Sequence, residues 1–324
     1  MNFEDKHDIR FDDIFALKNL VLHQHILNKL NKPATRILIA ILRIVSILPF
    51  RILYLISDGI YPIIYNLIGY RKKVVRANLR NSFPEKPEKE LNEIAGKFYR
   101  YLCDLFFESI KVRSMNAAAF ASRFTVKGAD QVNRFFEEGR SVIILGTHYC
   151  NWEWMISLPL WLKHKILLVY KPLQNEIFDR YLNETRQLQG GRVVSMAVTL
   201  RTVIEADKNH EKILTWLAAD QTPPWNHKFW TLFFNQEAMF FNGPAKIARR
   251  FNHPVFFQYI RKTSRGHYET GFELLFENPQ EVDEVMIIKT YVKKLESLIR
   301  ENPEYYLWSH KRWKHNRPSG MPLY

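Results

Sequence analysis

The chain has 324 residues, with 47 Lys and Arg against 33 Asp and Glu, a net charge of +14. Its 47% hydrophobic and 25% charged residues exclude wholesale disorder. A mean hydropathy of −0.27 excludes a polytopic transporter, which needs repeated uncharged apolar runs of about 20 residues. Two cysteines, Cys103 and Cys150, make no disulfide framework and point to a reducing compartment. The positive charge implies an anionic partner: nucleic acid, an anionic membrane, or an acidic substrate or carrier.

Residues 1–35 mix acidic and basic side chains and contain no apolar core with a small-residue cleavage site, so they read as an N-terminal extension and not a secretory signal. Residues 36–70 are the most apolar stretch. Arg43, Arg51 and Asp58 interrupt them, and Pro49 and Pro62 would kink a helix. The longest uncharged run, Gly59 to Tyr70, has 12 residues, short of a span. The segment is expected to be a membrane-associated anchor. It would be either a kinked helical pair in the interface or a marginal single span over 36–57, and buried core helices are the alternative. Arg71, Lys72, Lys73, Arg76 and Arg80 follow with no acid among 71–84, a cluster suited to anionic headgroups.

Beyond it, 71–324 reads as one α/β domain. Glu88 to Val112 has a helical apolar face. The runs 141–148, 165–171, 191–196, 212–220, 254–262 and 267–276 read as strands, the last two as an antiparallel hairpin. The stretches 151–163, 174–188, 197–209, 243–251 and 285–300 read as helices. The alternation predicts a mostly parallel or mixed central sheet flanked by helices.

Gly146-Thr147-His148-Tyr149-Cys150-Asn151-Trp152-Glu153 follows the first of these strands, where active-site groups collect in open α/β sheets. A histidine can take a proton from a hydroxyl near neutral pH. A carboxylate on its other ring nitrogen would fix the tautomer and stabilise the imidazolium. Glu153 is a candidate. Five residues on one helix do not share a face, so the pair meets only if His148 lies in the turn. From spacing alone, a capping or core histidine stays open. Cys150 has no second histidine nearby to activate it. His148 and Glu153 lack the second histidine of a zinc motif, and His310 and His315 lack cysteine partners, so no metal and no cofactor is expected.

The chain resembles the late acyltransferases of lipid A biosynthesis, the lauroyl/myristoyl transferase family with its H-x4-D/E signature. Four blocks carry the likeness over about 30–318. These are Arg76-Ala-Asn78-Leu79-Arg80-Asn81-Ser82-Phe83-Pro84, the His148 motif, Ala219-Asp220-Gln221 with Phe240-Phe241-Asn242-Gly243-Pro244-Ala245, and Pro303 to Lys314. One departure is Asn235, after Phe233-Phe234, where the family often has glycine. The resemblance implies acyl transfer from an acyl carrier protein to a hydroxyl of an anionic glycolipid, a lipid A precursor, on the cytoplasmic face of a bacterial inner membrane. His148 would be the base and Glu153 its partner, with no covalent acyl-enzyme. Arg76, Arg80, Lys246, Arg249 and Arg250 are candidate phosphate ligands. Asn151, Asp220, Gln221, Asn242, Gly243, His310 and Arg312 are assigned with them to the acceptor site. Acylation of another glycolipid or a phospholipid, or thioester hydrolysis, are the competing activities. A nucleic-acid-binding role has the charge but no helix-turn-helix, zinc finger or RNP motif.

Overall fold

The computed structural model describes residues 32–224 and 227–324. The expected N-terminal extension therefore lies almost wholly outside the described residues.

The apolar segment folds as helices α1 (Lys32–Ile47) and α2 (Phe50–Pro62), with Pro49 as the N-cap of α2. Its fixed φ and missing N–H end one helix and start the next, so no continuous helix covers 36–57. Pro62 ends α2 at a π-helical turn, Ile63–Ile68, which Gly69 closes at φ 65°. Helix α3 (Lys72–Ser82) then turns away at 89°. No single helix among the described residues is long and apolar enough to cross a membrane. The bent pair Phe50–Ile68 and Lys72–Ser82 passes only together, by length and composition. Large apolar side chains stay exposed along these helices: Ile37, Ile41, Ile44 and Ile47 on α1, Leu55 on α2 and Leu67 on the π turn.

Helix α4 (Glu88–Lys111) is the long buried helix, with Phe98, Tyr101, Leu102 and Leu105 inward. A short α5 (Ala117–Ala121) leads into the sheet. Its strands are β1 (Phe124–Lys127), β2 (Val142–Gly146), β3 (Lys165–Tyr170), β4 (Arg192–Ser195), β5 (Ile213–Ala218), β8 (Val255–Ser264) and β9 (His267–Phe276), in the order β1-β9-β8-β2-β5-β3-β4. β8 and β9 pair antiparallel and every other neighbour pairs parallel. Helices α6 (Ala129–Glu137), α7 (Glu176–Arg186), α8 (Thr199–Lys208), α9 (Gly243–Phe251) and α10 (Glu284–Glu301) connect and cover it. The expected mixed sheet flanked by helices is present.

Besides the unread β1 and α6, two features differ from the sequence reading. The stretch after His148 is a 3₁₀ helix, Trp152–Leu160, with Pro159 inside it. A separate hairpin of β6 (Trp230–Phe233) and β7 (Gln236–Met239) stands apart from the sheet. Its two turn residues, Phe234 and Asn235, have φ of 50° and 57°, the pair of positive φ values a type I′ turn requires. Asn235 thus occupies a left-handed position that asparagine tolerates and glycine would fill freely.

β2 is buried along its whole length, as a strand flanked on both edges in a covered parallel sheet must be. Gly146 at its end is there for space: a Cβ would sit 2.6 Å from Trp216 Cζ2 on β5. Trp216 is fixed in turn by its Nε1–H donating to Gln258 Oε1 at 2.6 Å. Gly146→Ala should therefore cost about 1–3 kcal/mol of stability, read as a lowered Tm, and adding Trp216→Phe should recover part of it. An unshifted Tm would mean that the Trp216 ring moves freely aside.

Candidate active site

Register delivers the central pair. β2 and β5 run parallel with Gly146 opposite Ala218, and the Ala219 N–H donates to Gly146 O at 3.3 Å, one step beyond the strands. Two residues past each strand end stand His148 and Asp220. Their chains leave in opposite directions along the sheet, β2 toward β3 and β5 toward β8. Each connection passes the other strand, and such a reversal of direction between neighbouring strand ends marks the crevice where α/β sheets bind ligands. Asp220 is 2% exposed and the His148 side chain 14%. The Asp220 carboxylate grips His148 twice: Oδ2 accepts from the backbone N–H at 3.0 Å, and Oδ1 meets ring Nδ1. A carboxylate on Nδ1 keeps the proton there and leaves Nε2 with its lone pair outward. The Gln221 amide lies 3.2 Å from that Nε2. The two nitrogens are thus oriented by consecutive residues of one strand end.

The turn between His148 and Glu153 is tightly built. Cys150 has φ 53°, and its N–H donates to Tyr305 O at 3.1 Å. The Tyr149 hydroxyl donates to Asn302 O at 3.0 Å, and Tyr149 bridges Tyr306. Asn151 is fully buried, with its amide donating to Glu108 Oε2 at 2.6 Å. The Trp152 ring meets the imidazole edge to face at 5.3 Å. Its Nε1–H donates to Glu153 Oε1 at 3.2 Å, and Glu153 Oε2 lies 3.7 Å from Arg186 Nη2 in the last turn of α7. Glu153, the residue the sequence proposed for the imidazole, is thus held by an indole and a guanidinium, while the carboxylate on Nδ1 is Asp220. Burial pushes the Cys150 thiol well above its ordinary pKa, so it is a poor nucleophile.

The C-terminal block closes one side of this site. His310 Nε2 lies 3.3 Å from both the backbone N and Oγ1 of Thr222, next to Gln221, and Thr222 Oγ1 donates to Arg312 O at 2.7 Å. Arg312 is 1% exposed, with its guanidinium 4.1 Å from the Phe240 ring centre and, among the described residues, no hydrogen-bond partner for any of its three nitrogens. Burial pulls its pKa down, while Tyr306, Asp220 and Tyr291 pull the other way. It is a buried cation within electrostatic reach of Asp220. The first block docks on the last: Asn78 on α3 donates to Trp308 O at 2.8 Å and to His310 O at 2.9 Å. Arg76 is exposed. Arg80 is paired with Glu88, its Nη2 at 2.9 Å from Oε2. Asn242 and Gly243 open α9, and Arg249 lies in its last turn, about 9 Å further along the axis.

Sequence reasoning grouped Asp220 with the acceptor ligands because register between strands 70 residues apart is invisible in a linear motif. Arg186 and Glu108 gave no signal either, each being one charge on an ordinary helix face.

Among curated proteins, the chain is similar to the lipid A biosynthesis lauroyltransferase of Escherichia coli strain K12. The two are 24% identical over 289 residues, 88% of this chain and 92% of that protein. It is also similar to the palmitoleoyltransferase of the same organism, at 23% over 276 residues, 84% and 88% of the two chains. A solved structure, the 1-acyl-sn-glycerophosphate acyltransferase of Thermotoga maritima, aligns over 78% of this chain and 94% of that one, at 16% identity and a TM-score of 0.34, too distant to argue from. The family model for bacterial lipid A biosynthesis acyltransferases matches residues 24–315. With nearly its whole length inside that match, the chain belongs to the bacterial lipid A biosynthesis acyltransferase family.

Proposed function

We propose that this enzyme moves a fatty acyl chain from an acyl carrier protein thioester to a hydroxyl of a lipid A precursor, with His148 as general base and no covalent acyl-enzyme. The observation that carries the mechanism is the Asp220 carboxylate on His148 Nδ1, at the end of two adjacent parallel strands. Nε2 takes the proton of the acceptor hydroxyl as its oxygen bonds to the thioester carbonyl carbon. The tetrahedral intermediate then expels the thiolate, the C–S bond breaks, and the proton on Nε2 passes to sulfur. Asp220 stabilises the imidazolium formed between these steps. Glu153 holds the Trp152 ring against the imidazole, and Arg186 holds Glu153. Gln221 and His310 border the approach to Nε2, and exposed Arg76 is available to a phosphate of the acceptor.

The expected assay is mass spectrometry of a lipid A precursor incubated with acyl carrier protein thioesters. His148→Ala should lose acyl transfer, and Asp220→Asn should lower kcat by about a thousandfold or more with the fold intact. Glu153→Gln, which leaves the Nδ1 partner in place, should lose less. Wild-type activity in Asp220→Asn with a dead Glu153→Gln would return the imidazole to Glu153. Rapid fatty acid release without acceptor would make the enzyme a thioester hydrolase.

The same reading seats α1, α2 and the π turn in the headgroup region of the cytoplasmic leaflet of a bacterial inner membrane. Exposed Ile37, Ile41, Ile44, Leu55 and Leu67 would be buried there, with exposed Arg36, Arg43, Arg51 and Lys73 beside them. An interfacial helix gains from both apolar burial and attraction to anionic lipid. Ile41→Asp with Leu55→Asp should weaken sedimentation with phosphatidylglycerol-containing vesicles by at least about tenfold. Unaltered binding by the double variant would place the contact elsewhere.

A further inference from the structure

A second buried polar system lies beneath the catalytic turn. Glu108, on α4, is completely buried and accepts three hydrogen bonds from three separate elements. Tyr54 of α2 donates to Oε1 at 2.8 Å, while Asn151 of the catalytic turn and Tyr268 of β9 both donate to Oε2 at 2.6 Å. One turn earlier on the same face, Asp104 accepts Arg265 Nε at 2.9 Å and Nη2 at 2.6 Å, and Ser57 Oγ of α2 at 2.7 Å. Arg265 also reaches Asp58 of α2, with Nη1 and Nη2 at 2.9 and 2.8 Å. α2 thus carries exposed apolar residues on one side while three of its polar side chains, Tyr54, Ser57 and Asp58, enter one network.

Two details give this network leverage on the chemistry. Asn151 sits three residues past His148, and among the described residues its only side-chain hydrogen bond is the one to Glu108, its Oδ1 being buried without a partner among them. The turn it anchors includes the left-handed Cys150, a conformation that persists only where surrounding contacts impose it. An ionised, desolvated carboxylate is an expensive thing to place on a core helix face. Burial raises the Glu108 pKa, and the hydrogen bonds from Tyr268 and Tyr54 oppose that.

We infer that Glu108 is a positioning residue: through Asn151 it sets the turn that presents His148, and through Tyr54 that setting depends on where α2 sits. This rests on the acyltransferase reading for its kinetic consequence but not for its structural one, so the test reads both. Hydrogen exchange of the amides at 148–151 is measured alongside kcat and KM. Tyr54→Phe removes one hydroxyl far in sequence from the turn, and it should speed exchange at 148–151 and lower kcat by about fivefold with KM unchanged. Glu108→Leu, which keeps volume and removes every acceptor, should do both more strongly. Glu108→Gln should restore most of the loss, since its carbonyl can face Asn151 while Tyr54 rotates to accept from its amide. Unchanged exchange at 148–151 in Tyr54→Phe would overturn the inference, even if Glu108→Leu does not fold. A Glu108→Gln variant as slow as Glu108→Leu would also overturn it. Loss of acyl transfer in every form, wild type included, with the exchange pattern as expected, would reject the acyltransferase reading and leave the positioning intact.

Discussion

The contact between His148 and Asp220 organises the rest of the molecule. It needs two strands in one register, both ending at the same level, with chains that lead to opposite sides of the pair beyond them. A single carboxylate then satisfies a backbone N–H and a ring nitrogen at once, so the imidazole's position and its tautomer have one cause. Gly146 keeps the strand end close to Trp216, and Tyr291 on α10 donates to Gly146 O at 2.9 Å from beneath. The C-terminal block clamps Thr222 from the side. These contacts, some fully buried and some at the edge of the crevice, act on neighbouring stretches of backbone.

Charge is distributed to match. The core around the site holds carboxylates in two layers. Asp220 is gripped by histidine with the guanidinium of Arg312 behind it, and Glu108 is gripped by two tyrosines and an asparagine. A buried carboxylate is tolerable only where donors replace water; these donors come from the turn after β2, from α2 and from β9, while Arg312 contributes its charge alone. Basic residues gather elsewhere: α1 and α3 carry seven between them and no acidic one. The composition that first suggested an anionic partner thus separates into a basic outer face and an acidic, hydrogen-bonded interior.

Much of the fold could be read from the chain. Strand β2 announced itself as a β-branched run and β3, β4, β5, β8 and β9 as further short strand-like stretches, and α9 spans the residues read as helical, because local burial patterns suffice for such elements. β1, α6 and the β6–β7 hairpin went unread: four-residue strands with mixed polarity carry too little pattern, and the hairpin's turn signal was Phe-Asn where Asn-Gly is the strong one. In the site, His148 stood out by its place after a strand. Asp220 was noticed in its block but not as the imidazole's partner, because only sheet register brings the two together. Arg312, assigned to the acceptor site, is buried, with its guanidinium over the rings of Phe233 and Phe240 far back in the chain.

The link between Asn78 and the carbonyls of Trp308 and His310 has a consequence for how the protein comes into being. It joins positions 230 residues apart, and His310 in turn supports the loop that begins at Asp220. Closing so long a loop is an entropic cost that later contacts must offset, and native pairings of such separation form late. During synthesis β2 and β5 emerge while the crevice at their ends still lacks one wall. That wall can close only after residues 308–312 have left the ribosome, long after α1 and α2 have emerged.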